Sequence, residues 1–169
     1  MLSSEKLIAA FNEQVGNELG ASHQYLSIAS YFDRENLPQL SEFFLLQAEE
    51  EREHALKFVH FINDIDGVLR IPEIEAPKSE YASASEAVGL ALEWEHEVTE
   101  QIYRLVEVAR EERHLIAQRF LDWFVTEQLE EVNTMSTLLG IIERAGEDGL
   151  LHVEDYLARE AGSLGPETE

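Results

Sequence analysis

Residues 44–62 read FLLQAEEEREHALKFVHFI, and the rest of the chain is read outward from them. Phe44, Ala48, Ala55, Phe58 and Ile62 recur at three- and four-residue intervals, the mark of a helix with one apolar face. Glu51 and His54 interrupt that face between Ala48 and Ala55. A carboxylate and an imidazole three residues apart point the same way from a helix. Taken alone, His54 is an ordinary hydrogen-bonded core histidine, and the run Glu49-Glu50-Glu51 is half explained as a solvated face.

The same 3.6-residue period appears in three other stretches. The first helix is expected over about 4–32, with Ser3 or Ser4 as its N-cap and Leu7, Phe11, Val15, Ile28, Ala29 and Phe32 on its stripe. The second covers about 38–66; Pro38 suits a first turn and Gly67 is a natural stop. The third covers about 83–112, opens on the capping box Ser83-x-x-Glu86, and carries Val88, Leu92, Val98, Ile102, Val106 and Ala109. The fourth covers about 115–145, with Leu121, Phe124, Val132, Met135, Leu138 and Ile142. No Gly or Pro separates the third from the fourth. A break near Glu112 to His114 is placed where the stripe changes phase. A short fifth helix is expected over about 150–159, and the tail over 162–169 reads as disordered.

The connections set the topology. The first and third links are short, so each joins an antiparallel pair. The link over about 66–82, with Pro72 and Pro77, is long enough to run the length of a bundle, which makes the second and third helices parallel. The expected fold is therefore all-α: one domain over 1–169, a four-helix bundle with one long crossover and a short C-terminal helix.

Each stripe is broken by acid near its middle. Glu18 continues the series 7, 11, 15 of the first helix, with Tyr25 seven residues further on. Glu95 sits between Leu92 and Val98; Gln128 and Glu131 sit between Phe124 and Val132. Charges are rarely buried unless paired or bound to metal. Antiparallel packing brings these positions to one level, roughly 20 Å along each axis at about 1.5 Å per residue. Four carboxylates gathered there would repel one another and cost several kcal/mol in desolvation. Two divalent cations would neutralise them, and an oxygen set with one nitrogen suits iron or manganese, with zinc as competitor. Glu-x-x-His pairs are the half-sites of di-iron centres in four-helix bundles. Glu127, Glu130 and Glu131 fall on adjoining faces of the fourth helix, and Glu50 of the second can approach them. They form either a third, looser cation site or a solvent-facing acidic patch. Tyr25 and Trp123, taken singly, read as packing.

Composition narrows the classes. The 169 residues contain no cysteine, which removes disulfides and thiolate metal sites. The formal net charge of −23 argues against nucleic acid as partner and suits a protein that handles cations, though it also describes a merely solvated acidic surface. No stretch reaches the ~18 apolar residues of a membrane span. The first residues, Met-Leu-Ser-Ser-Glu-Lys, lack a signal peptide's basic start and apolar run, so the expectation is a soluble, cytoplasmic protein.

Taken together, these motifs resemble the non-haem bacterial ferritins over nearly the whole chain. The matches are Tyr25-Leu, Glu49-Glu50-Glu51-Arg-Glu-His54-Ala, Glu95 four residues before Thr99, and Glu127-Gln128-x-x-Glu131-Val. The resemblance implies a ferroxidase that oxidises Fe(II) with oxygen or peroxide and stores the ferric product in a hollow homo-oligomeric cage of 24 chains. It implies one iron on Glu18, Glu51 and His54, and a second on Glu51, Glu95 and Glu131 with Gln128 nearby. It also implies a third iron on Glu50, Glu127, Glu130 and Glu131, and Tyr25 as the tyrosine beside the pair, donating a hydrogen bond or an electron. Haem is not expected: Arg52 stands where haem-binding relatives carry a methionine, and the only internal methionine is Met135. The last long helix has no second Glu-x-x-His, which separates the chain from bacterioferritins and rubrerythrins. Gln118 and Leu121 stand where animal ferritins line a channel with carboxylates. Two other readings are a storage cage without fast catalysis and a di-iron or di-manganese oxidoreductase.

Overall fold

The computed structural model describes residues 4–160. They form α1 (Glu5–Arg34), α2 (Pro38–Asp64), α3 (Ala84–Glu111), α4 (Leu115–Ala145) and α5 (Leu150–Glu160), with a 3-10 turn at Glu147–Gly149 before α5. The tail over 162–169, expected to be disordered, lies outside the described residues, as does Ser3. Ser4 is the α1 N-cap, its side chain accepting from the Leu7 N–H.

Three helix ends turn on a residue other than glycine, including the one where Gly67 is the expected stop. Asn36, Asp66 and Arg113 take the left-handed conformation, with φ of 60°, 59° and 51°. In each case the next N–H returns to the last turn: Leu37 to Phe32 O at 2.9 Å, Gly67 to Ile62 O at 2.8 Å, His114 to Ala109 O at 2.9 Å. Gly67 is thus one residue past the position that needs positive φ. Its role is space, because a Cβ there would meet the Ile62 carbonyl at 2.9 Å. Arg113 supplies the break between α3 and α4, and His114 Nδ1 then caps α4 by accepting from the Ala117 N–H at 3.0 Å. The Ser83 box forms in half. Ser83 Oγ accepts from Glu86 N–H at 3.0 Å, while the Glu86 carboxylate accepts the Ala82 N–H and pairs with Lys78 at 2.5 Å.

The crossover runs along α1 in the direction of α1. Asn12 donates to Val68 O at 3.0 Å and accepts from Arg70 N–H at 2.7 Å. A Cβ on Gly16 would lie 2.4 Å from Pro72, so only glycine admits the proline ring there. Gln24 donates to Lys78 O at 3.1 Å and accepts from Lys78 N–H at 3.0 Å. Contacts at 12, 16 and 24 therefore meet 68–70, 72 and 78 in the same order, which returns the chain to the end where α2 began. α3 consequently runs parallel to α2.

Packing leaves two apolar cores stacked along the bundle. One holds Tyr25, Ile28, Phe32, Phe44, Val88, Met135 and Ile142; the other holds Leu7, Phe11, Phe58, Ile102, Leu121 and Phe124. Glu18, Glu51, His54, Glu95, Gln128 and Glu131 lie between the two along their helices, all buried. Val132 and Val106, expected on the stripes, are only half-buried.

α5 joins the core of Tyr25, Phe44 and Met135 through Val153 and contributes a cap to another helix. Leu37 gives α2 no side-chain cap; instead Glu154 accepts the Gln39 N–H at 2.6 Å and the Leu40 N–H at 3.2 Å. A carboxylate at a helix N-terminus satisfies free N–H groups and complements the helix dipole. Glu154→Ala is expected to lower stability by about 1 kcal/mol, and the thermal midpoint by roughly 3 °C. Circular dichroism melts read this directly; an unchanged midpoint would show that α5 holds α2 by apolar contact alone.

Candidate metal centre

Helix geometry explains how the polar layer forms. Glu51 and His54 stand one turn apart on α2, and Gln128 and Glu131 do the same on α4. Glu18 and Glu95 enter singly from α1 and α3. Glu18, Glu51, Glu95 and Glu131 are at most 3% exposed. Three groups of potential ligand atoms result, each with its atoms within 4.8 Å of one another. They are Glu18, Glu51 and His54; Glu51, Glu95 and Glu131; and Glu50, His54, Glu127 and Glu131.

The groups share residues. Glu51 belongs to the first two, so its two oxygens can face two cations. His54 belongs to the first and third, with Nδ1 at 3.3 Å from Glu51 Oε2 and Nε2 at 3.9 Å from Glu127 Oε1. The third group differs from expectation. Glu130 is exposed and outside it, and the His54 ring stands in its place. Glu127 and Glu131 are four apart and share a face, whereas Glu130 is turned about 100° from Glu131.

Hydrogen bonds divide the carboxylate oxygens into used and unused. Tyr25 donates its hydroxyl to Glu95 Oε1, and Gln128 Nε2 donates to Glu95 Oε2 at 3.2 Å. Gln128 is further held by Glu95 O and Thr99 Oγ1, both at 3.2 Å. Glu18 Oε2 and Glu51 Oε1 are buried and accept from no donor residue; only a proton shared between the two carboxyls could join them. Buried polar atoms are rarely left so. Unpaired oxygens of two neighbouring buried carboxylates are what a cation would satisfy.

The electrostatics carry the same message. Burial raises Glu18 to about 7, and burial with the Glu95 charge raises Glu131 to about 10. Burial and the Glu18 charge push Glu51 well above the carboxylate range, and burial raises Glu95. Burial and Glu127 raise Glu50 to about 7. In each case the ionised form is disfavoured for want of counter-charge. His54 moves the other way, to about 4, through burial and then the Lys57 charge. Its imidazole is therefore neutral at pH 7, as a metal ligand must be.

Trp123 is 41% exposed and packs edge-on against His54 at 5.4 Å between centroids. Lys57 lies over its ring at 4.3 Å. Leu121 is in the core and cannot line a channel; Gln118 donates to Ala109 O at 3.2 Å. Arg52 is exposed and pairs with Glu49 at 3.1 Å. Stripe reading missed the buried amides Asn12, Gln14 and Gln24. A signal was available: Asn12, Gly16, Gly20 and Gln24 repeat every four residues, a small-and-amide face suited to a chain lying against the helix.

The described residues include no helix long and apolar enough to cross a membrane. A family model described as a ferritin-like domain matches residues 8–145. The chain is 43% identical to ferritin BfrB of Mycolicibacterium smegmatis over 160 residues, covering 95% of this chain and 88% of that one. It is 39% identical to a bacterial non-heme ferritin of Staphylococcus epidermidis over 148 residues, covering 88% and 89%. Among solved structures it superposes on an open-pore ferritin from the hyperthermophilic archaeon Archaeoglobus fulgidus with a TM-score of 0.89 and 35% identity, covering 92% and 96%. With a buried acidic layer in a four-helix bundle and these relatives, the chain belongs to the ferritin family.

Proposed function

We propose that this protein stores iron, taking Fe(II) as substrate and oxidising it in the buried acidic layer. The observation that carries the reading is the pair of buried oxygens, Glu18 Oε2 and Glu51 Oε1, that no donor residue satisfies, beside a His54 whose pKa is lowered to about 4. Glu18, Glu51 and His54 would take one Fe(II); Glu51, Glu95 and Glu131 would take the second, with Gln128 alongside. Four carboxylates match the charge of two dications, so filling the layer removes the repulsion that raises their pKa values. Two Fe(II) lose one electron each. Dioxygen with two protons becomes hydrogen peroxide, or peroxide with two protons becomes two waters.

The residues have separable roles. His54 is a fixed ligand, wedged by Trp123 and Phe124. Tyr25 keeps Glu95 oriented through its hydroxyl and stands ready as a hydrogen-bond or electron donor. Glu50 and Glu127, with Glu130 at the surface beyond them, offer the ferric product acidic oxygens as it leaves, which suits a third site. The Fe(III) then deposits as mineral inside a closed assembly of 24 copies.

Three outcomes sort the readings. Rapid oxygen uptake on Fe(II) addition, by a particle with the mass of a cage, supports the proposal. Iron uptake without that oxygen consumption leaves a storage cage lacking fast catalysis. A monomer or dimer by light scattering points instead to a di-iron or di-manganese oxidoreductase. Tyr25→Phe keeps the packing but removes the bond to Glu95. It is expected to slow Fe(II) oxidation about tenfold, the usual size of losing a ligand's hydrogen-bond partner. Stopped-flow absorbance checks this, and an unchanged rate removes Tyr25 from the mechanism.

A further inference from the structure

Gln14 is buried on α1, one turn before Glu18, and its amide is engaged on every side. Nε2 donates to Glu18 Oε1 at 2.9 Å and to Gln101 Oε1 at 3.2 Å, while Oε1 accepts from Asn17 Nδ2 at 3.2 Å. Gln101 Nε2 in turn donates to Glu97 Oε1 at 3.5 Å. Carboxylate oxygens accept these amide N–H groups, so Glu18 at one end and Glu97 at the other set which way both amides face. The Gln14 side chain cannot turn without placing its oxygen against Glu18.

The consequence falls on Glu18. One of its oxygens is held by Gln14; the other, Oε2, accepts from no donor residue. Glu95, by contrast, is held at both oxygens by Tyr25 and Gln128. We propose that Gln14 is a positioning residue for the first metal: it pins Glu18 by Oε1 so that Oε2 is presented to the cation beside Glu51 and His54. This rests on the reading of the layer as an Fe(II) site. The physical ground is general. A carboxylate ligand fixed in advance loses less rotamer freedom on binding, and hydrogen-bond partners of metal ligands are worth about 10–100-fold in affinity.

The test is metal binding by the assembled, metal-free protein under anaerobic conditions. Calorimetry with Fe(II) gives the affinity, and the visible spectrum of bound Co(II) reports the geometry of the first site. Gln14→Met keeps the side-chain volume and removes both donors. It is expected to weaken the first site about tenfold and to change the Co(II) spectrum. Asn17→Ala removes the donor that holds Gln14 Oε1, leaving the amide less restrained, and is expected to weaken the same site severalfold. If Gln14→Met assembles and binds within about twofold of the parent with an unaltered Co(II) spectrum, Gln14 is a packing residue and the proposal is wrong. If Gln14→Met does not assemble, Asn17→Ala decides by the same criterion. The parent protein is the separate control: failure of the unaltered chain to bind Fe(II) or Co(II) overturns the iron-site reading itself, whereas normal binding by parent and variants alike overturns only the role of Gln14.

Discussion

Replacing Glu51 and His54 together by alanine is expected to abolish rapid Fe(II) oxidation, lowering the initial rate by two orders of magnitude or more. Glu51 belongs to both of the paired groups, and His54 links the first to the third. On the proposed reading, their removal takes away the carboxylate shared by the two paired groups and the single nitrogen ligand, a larger change than the ~10–100-fold typical of outer-shell substitutions. Oxygen uptake and stopped-flow absorbance measure the loss; a rate equal to the parent's would place the chemistry elsewhere. The same residues act in the opposite direction on stability. Without metal, Glu51 is a buried carboxyl crowded by Glu18, Glu95 and Glu131. Glu51→Gln keeps its shape and removes its charge, so the metal-free protein is expected to gain about 1–3 kcal/mol at pH 8. A site that is destabilising until filled is a common exchange of stability for function.

The second large effect is on pH. Glu18, raised from 4.5 to about 7, binds more protons in the folded than in the unfolded chain between those values. Stability therefore falls as pH rises across that window, opposite to the usual behaviour of salt-bridged carboxylates. One such shift corresponds to about 3 kcal/mol. Glu131, raised to about 10, extends the decline to higher pH. The metal-free protein is expected to be most stable near pH 5 and to lose more than about 10 °C of thermal midpoint by pH 8. Bound divalent metal replaces the protons, so the loaded protein should show little of this slope. Scanning calorimetry from pH 5 to 8, with and without Co(II), tests both halves. A metal-free midpoint that rises with pH would mean that the carboxylates are already paired.

Much of the architecture was legible because burial leaves a periodic trace. Phe44, Ala48, Ala55 and Phe58 announced a helix face, and Glu51 and His54 announced its interruption. Glu18, Glu95 and Glu131 were found as further interruptions at matching depth, and the structure brings all of them together. Other residues left no such trace. Arg113 adopts a left-handed conformation although arginine does not advertise it. Glu154 has no role that spacing along its own short helix could show, because its capping of α2 depends on chain more than a hundred positions away. Gln14 leaves no trace in the spacing, since a glutamine beside an apolar stripe is unremarkable until its three partners are known.

The sequence by itself determined the period, the number of long helices, the crossover and the level at which acid enters the core, since these follow from residue spacing along single helices. Tertiary structure alone decided which oxygens are spent and which are free. It gave Glu95 two donors, Glu18 one and Glu51 an empty oxygen, and it set His54 in Glu130's place among the third group. Those assignments depend on which side chains of different helices meet at hydrogen-bond distance, and spacing within one helix carries no information about its neighbour's rotation.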